Sequence, residues 1–152
     1  MRDSSDWHPT AFRTHTIGQV VSNGADMIGE QVSVAGYAET VRGRGAIAFL
    51  MLRDGTGYIQ AFLKKDNMDE NTFTAVQSAS RESTVQVTGT VAQKRPPKVP
   101  EGEPTPPPEY EINVTEANIL SSAETPLPVG ITDDVNVRLD IRLDNRHLDL
   151  RR

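Results

Sequence analysis

Phe49 and Gln60 are the side chains of this 152-residue chain best suited to chemistry, and that chemistry is recognition. A phenyl ring stacks on any unpaired nucleic-acid base, a contact worth about 1–3 kcal/mol. A glutamine amide carries a donor beside an acceptor, so it can pair with the edge of one base and reject others. Arg42 and Arg44 precede them, and a guanidinium there contacts phosphate or guanine. Glu111, on a later segment, can accept a hydrogen bond from a base N–H. Each has a plainer alternative. Phe49 shares an alternating face with Ile47 and Met51 and serves equally as core packing. Gln60 is then a surface amide, and Arg42, Arg44 and Glu111 are solvated charges. Arg53-Asp54 reads as a structural turn pair.

Catalysis has no comparable cluster. His8, His15 and His147 are scattered, without metal-ligand spacing. The chain lacks a phosphate-cradling loop, and no nucleophile sits beside a base in a strained turn. Asp133-Asp134 reads as a solvated helix start, because no apolar setting separates the two pKa values. With no cysteine, disulfides, thiol catalysis and Cys-based zinc sites are excluded, which fits a cytoplasmic protein. No catalytic residue, metal site or cofactor is expected.

Net charge is −5, yet Gln31 to Lys98 holds nine Lys/Arg against six Asp/Glu. A basic centre between acidic flanks suits a local phosphate-facing surface. No apolar run approaches the roughly 18 residues of a membrane span, and the polar, acidic start is not a signal peptide.

The elements that must position these residues are short and alternating. Thr16 predicts a cap for a brief helix through Ile17, Val20 and Val21, ended by Asn23-Gly24 and Gly29. Gln31 to Arg42 alternates as a half-buried strand, with Val32, Val34, Gly36 and Ala38 inward and a bend or bulge expected at Gly36. Gly43-Arg44-Gly45 is expected as a basic loop. A hairpin over residues 46–60 follows, turning at Asp54-Gly55-Thr56-Gly57, with Leu50 and Leu52 on one face. Asp69 or Asn71 predicts the cap of a helix over Thr72 to Ala79. Thr84 to Gln93 and Tyr110 to Leu120 are two more strands. Between them residues 96–108 carry seven of the ten prolines and cannot form a ladder. Five strands, with a helix after the third, predict an all-β fold: a five-stranded OB-fold Greek-key barrel with a short N-terminal helix. Such barrels bind oligonucleotides across strands two and three, where Phe49 and Gln60 fall.

These segments resemble a known family. Gly36-Tyr37, Val41-Arg42, Phe49-Leu50-Met51-Leu52-Arg53-Asp54, Gly57-Tyr58-Ile59-Gln60 and Val87-Thr88-Gly89-Thr90-Val91 are similar to the N-terminal anticodon-binding OB domain of class IIb aminoacyl-tRNA synthetases. Pro126-Leu127-Pro128 resembles the barrel exit. Leu139 to Arg152 resembles the approach to the catalytic domain, in the form most like aspartyl enzymes of archaeal and eukaryotic type. The asparaginyl enzymes are the near alternative. A freestanding OB-fold nucleic-acid-binding module or a protein-interaction module is a further one.

The resemblance implies roles. Phe49 stacks on an anticodon base, Gln60 reads the middle uridine, Glu111 helps read a flanking base, and Arg42 contacts the anticodon stem-loop. It also implies a tRNA partner, and a parent enzyme, a homodimer, that attaches aspartate to tRNA using ATP and magnesium. Motif residues for adenylation are absent, so the chain is expected to be inactive alone and to resemble an excised domain. The expected organisation is a lead-in (1–13), an OB domain (14–125) with its proline-rich insert (96–108), and a linker (126–152) towards an absent catalytic domain. Arg42-Gly43-Arg44-Gly45 departs from the family in lacking the acidic residue that often follows the Arg.

Overall fold

A computed structural model describes residues 10–96, 106–131 and 136–151. The start of the lead-in with His8, the middle of the proline-rich insert and the Asp133-Asp134 pair lie outside the described residues. Alternation of apolar and polar side chains produces five strands: β1 (Gln31–Arg44), β2 (Ile47–Arg53), β3 (Tyr58–Lys64), β4 (Thr84–Gln93) and β5 (Tyr110–Ser121). They close into a barrel in the order β1-β2-β3-β5-β4, with β4 pairing back onto β1. Neighbours are antiparallel except β3 and β5, which run parallel. This is the expected OB-type barrel.

One residue in two from each strand fills the interior. Val34, Leu50, Leu52, Leu63, Val87 and Ile112 are fully buried, each burial worth about 1.5–3 kcal/mol relative to exposure. Two helices plug the ends. At one, α1 (Ile17–Ser22) inserts Ile17 and Val20. Its N-terminus is a capping box, with Thr16 Oγ1 accepting from Gln19 N at 3.2 Å and Thr16 N donating to Gln19 Oε1 at 2.9 Å. At the other, α2 (Glu70–Gln77), between β3 and β4, inserts Phe73 and Val76 and is capped by Asp69. Val21 does not join Ile17 and Val20 in the core. It is 42% exposed, because a residue next to Val20 is rotated about 100° around so short a helix.

The turn between β2 and β3 ties the barrel to α1. Asp54 Oδ1 accepts from Thr56 N (2.7 Å), Thr56 Oγ1 (2.6 Å) and Gly57 N (3.1 Å), while Oδ2 accepts from Ile17 N at 3.0 Å. Thr56 Oγ1 also accepts from Gly18 N at 2.7 Å. One carboxylate therefore shapes the turn and satisfies a free N–H of the helix.

Two expectations about β1 are corrected. The register slips between Ala38 and Thr40, not at Gly36, so that Glu39 is skipped in the backbone register with β2. Gly36 is required for another reason: a Cβ there would lie 2.5 Å from the Arg53 carbonyl oxygen. The basic loop is also shorter than expected. β1 continues through Gly43 and Arg44, and only Gly45-Ala46 turns, with Gly45 at φ 64°.

The stems of the proline-rich insert are fastened together by Lys94 N to Glu109 O (2.8 Å) and Lys94 Nζ to Glu109 Oε2 (2.8 Å). Beyond β5, Val129 and Ile131 are buried. The final described segment forms α3 (Leu139–Asp144) and α4 (Arg146–Asp149), and Arg151 returns to the barrel, donating to Glu82 Oε2 at 2.7 Å. Among the described residues no helix is long and apolar enough to cross a membrane.

Candidate nucleic-acid interface

Cross-strand register assembles the site. The outward residues of β1, β2, β3 and β5 form rows that run across the sheet. One row is Arg42, Phe49, Phe62 and Asn113; the next is Thr40, Met51, Gln60 and Glu111. Arg44, Ile47 and Lys64 form a third beside the first. Residues far apart in sequence thus become lateral neighbours on one face, because directly opposed side chains in a sheet stand within contact reach.

Phe49 is on the outside, 41% exposed, which settles its ambiguity against core packing. Its ring stacks on Phe62 with centroids 5.1 Å apart and planes inclined by 29°. Lys64 Nζ lies 5.5 Å from the Phe62 centroid. The outward face therefore carries an aromatic pair, and Phe62 and Lys64 join the residues expected there from the sequence. A signal for Phe62 was present: once Arg53 and Tyr58 flank the turn, four steps back along each strand bring Phe49 opposite Phe62.

Arg42 and Arg44 sit on β1, not in a loop, so their positions are held by the ladder. Both are exposed, and neither has an ion-pair partner among the described residues. Arg53 differs. Its Nη2 donates to Glu82 at 2.6 Å and its Nε to Glu39 at 3.3 Å. Burial by itself would lower its pKa, and the hydrogen bonds and charges of Glu82 and Glu39 outweigh this and raise it. The sheet thus neutralises one arginine internally and leaves two facing outward beside the aromatic pair.

Gln60 and Glu111 are brought together by the parallel pairing of β3 and β5. Gln60 Nε2 donates to Glu111 Oε2 at 2.7 Å. A cavity of about 130 Å³ opens between the rows, lined by Thr40, Arg42, Phe49, Met51 and Gln60. It offers a ring, a thioether floor, a guanidinium and an amide. On the other side of Gln60 a second cavity, about 300 Å³, is lined in part by Val21, Tyr58, Lys94 and Tyr110. Such a surface can stack a planar ring, pair with its edge and hold an adjacent phosphate.

Residues 32–120 match the tRNA anti-codon family, described as the OB-fold nucleic acid binding domain. The chain belongs to that family. The span that matches this OB-fold family contains all five residues expected to bind RNA, and Phe62 as well. The chain is similar to the aspartate–tRNA(Asp/Asn) ligase of Natronomonas pharaonis, with 43% identity over 81% of this chain and 26% of that protein. It thus spans about a quarter of that relative's length. Among solved structures, the aspartyl tRNA synthetase from Entamoeba histolytica superposes with a TM-score of 0.70 at 29% identity, covering 89% of this chain and 32% of that one. The asparaginyl-tRNA synthetase from Pyrococcus horikoshii also gives 0.70, at 28% identity over 90% of this chain and 29% of its own. The expected likeness to the OB domain of the aspartyl enzymes holds, with an asparaginyl enzyme as a structural neighbour.

Proposed function

We propose that this chain binds tRNA through its anticodon loop, as the RNA-reading part of a ligase that joins aspartate to tRNA. The observation that carries this is the registered row of Arg42, Phe49 and Phe62 beside Gln60: an exposed Phe49 stacked on a half-buried Phe62, with a guanidinium that has no ion-pair partner among the described residues on one side and an amide on the other. Phe49 stacks on a loop base, Gln60 reads the edge of the middle uridine, and Arg42 and Arg44 track the phosphates. In this reading the part played by this chain is RNA binding, and the ATP and magnesium that the resemblance implies are assigned to the rest of such a ligase.

The test is a titration of the chain with anticodon stem-loops carrying U or C at the middle position, at two salt concentrations. Tighter binding of the U form, weakened by salt, is expected. Equal affinities would remove the role of Gln60, and no RNA affinity at all would favour a protein-interaction module. The aspartate, asparagine and lysine anticodons share the middle uridine, so this measurement addresses the domain and not the amino acid of the ligase.

A further inference from the structure

Gln60 has a partner that decides which way round its amide faces. An ionised carboxylate only accepts hydrogen bonds, so Glu111 Oε2, 2.7 Å from Nε2, takes the NH₂ end of the amide and turns Oε1 away from itself. A flipped amide would set its carbonyl oxygen against the carboxylate. The two residues are opposed in the parallel β3–β5 pairing, and both are half-buried. The contact is therefore held by the barrel and not by flexible surface chains.

Orientation matters because an amide is complementary to both pyrimidines. Uracil presents O4, an acceptor, beside N3–H, a donor. Cytosine presents N4–H₂, a donor, beside N3, an acceptor. For a base in one fixed pose, uracil pairs with the amide one way round and cytosine with the amide turned by 180°. A freely flipping glutamine accepts both; a glutamine held one way round accepts one.

We infer that Glu111 is a positioning residue for base discrimination: by locking the Gln60 amide in one orientation it makes the site selective for uridine over cytidine. This differs from a direct contact of Glu111 with a flanking base, and it rests on the proposed reading of a middle pyrimidine. The second N–H of Nε2 and both lone pairs of Oε1 stay available to the base while the first N–H is held by Glu111. The lock and the readout therefore operate together.

The test uses the full chain, its Glu111→Gln variant and its Gln60→Ala variant, with stem-loops differing only by U or C at the middle position. Glu111→Gln has the same shape and can either donate or accept, so it permits both amide orientations. The wild type is expected to prefer U by roughly 5- to 150-fold, the discrimination typical of one bidentate base contact. Glu111→Gln is expected to bring the ratio to within about threefold, chiefly by tightening C, while U affinity changes little. Gln60→Ala is expected to lose the preference by weakening U. If the wild type discriminates and Glu111→Gln keeps the full ratio, the lock is overturned while the reading by Gln60 stands. If Glu111→Gln weakens U and C equally, Glu111 acts by direct contact and the lock is likewise overturned. Equal binding of U and C by the wild type overturns the underlying reading itself. Unchanged circular dichroism and urea midpoints for both variants separate these outcomes from misfolding.

Discussion

Arg53 on β2 donates from Nη2 to Oε1 of Glu82, just ahead of β4, at 2.6 Å. The Glu82 side chain is 2% exposed and its other oxygen accepts from Arg151 at 2.7 Å. The Arg151 guanidinium lies 4.2 Å from the centroid of the Tyr37 ring. One buried carboxylate thus joins β2, the approach to β4 and the segment after α4. Glu82→Gln removes a buried acceptor from two guanidiniums, of which Arg53 keeps Glu39, and is expected to destabilise the chain by about 1–3 kcal/mol in urea unfolding. Arg151→Ala, removing a partner that is 33% exposed, is expected to cost less than about 1 kcal/mol. Because the Arg53 pKa is raised, its cationic contribution is complete below the ordinary arginine value and is lost only at more alkaline pH. The stability of the pair should therefore not fall between pH 7 and pH 10 through loss of the arginine proton.

Phe49 and Leu50 are adjacent on β2 and face opposite ways. Phe49→Ala is expected to leave the urea midpoint nearly unchanged while weakening stem-loop binding by about 1–3 kcal/mol. Leu50→Ala, at a fully buried position, is expected to cost about 2–5 kcal/mol of stability. A Phe49→Ala protein as unstable as Leu50→Ala would return Phe49 to the core.

Arg42 is exposed, opposite Phe49 and without a carboxylate partner among the described residues. Its proposed contact is phosphate, so Arg42→Gln is expected to weaken U and C stem-loops alike. It should also lower the slope of log affinity against log salt by about 1. A changed U-to-C ratio with an unchanged slope would assign Arg42 to a base instead.

Asp54 satisfies its own turn and the first N–H of α1. Asp54→Ala frees all of these donors and is expected to cost about 2 kcal/mol or more, beyond the typical loss of about 1 kcal/mol for a single helix cap. Hydrogen exchange at Ile17, Gly18 and Thr56 should accelerate before that of β4.

The alternation of side chains by itself marked out the five strands and the inward faces of β1, β4 and β5, and Thr16 marked the first helix cap, because burial with period two and capping chemistry are local properties; it left the choice between Asp69 and Asn71 and the outward face of β2 open. It also singled out Phe49, Gln60, Arg42, Arg44 and Glu111 by type and, through family likeness, by role. Three things were decided only by tertiary structure. Phe49 is a platform because β2 pairs with β3 to put Phe62 beneath it. Gln60 has a fixed orientation because closing the barrel sets β5 parallel to β3, bringing in Glu111 from 51 residues away. Arg53 is paired internally, while Arg42 and Arg44 have no ion-pair partner among the described residues, because the slip at Glu39 and the left-handed backbone of Glu82, φ 68°, aim two carboxylates at the Arg53 guanidinium. Pairings across a closed sheet depend on register and on how the ends meet, and no local pattern carries either.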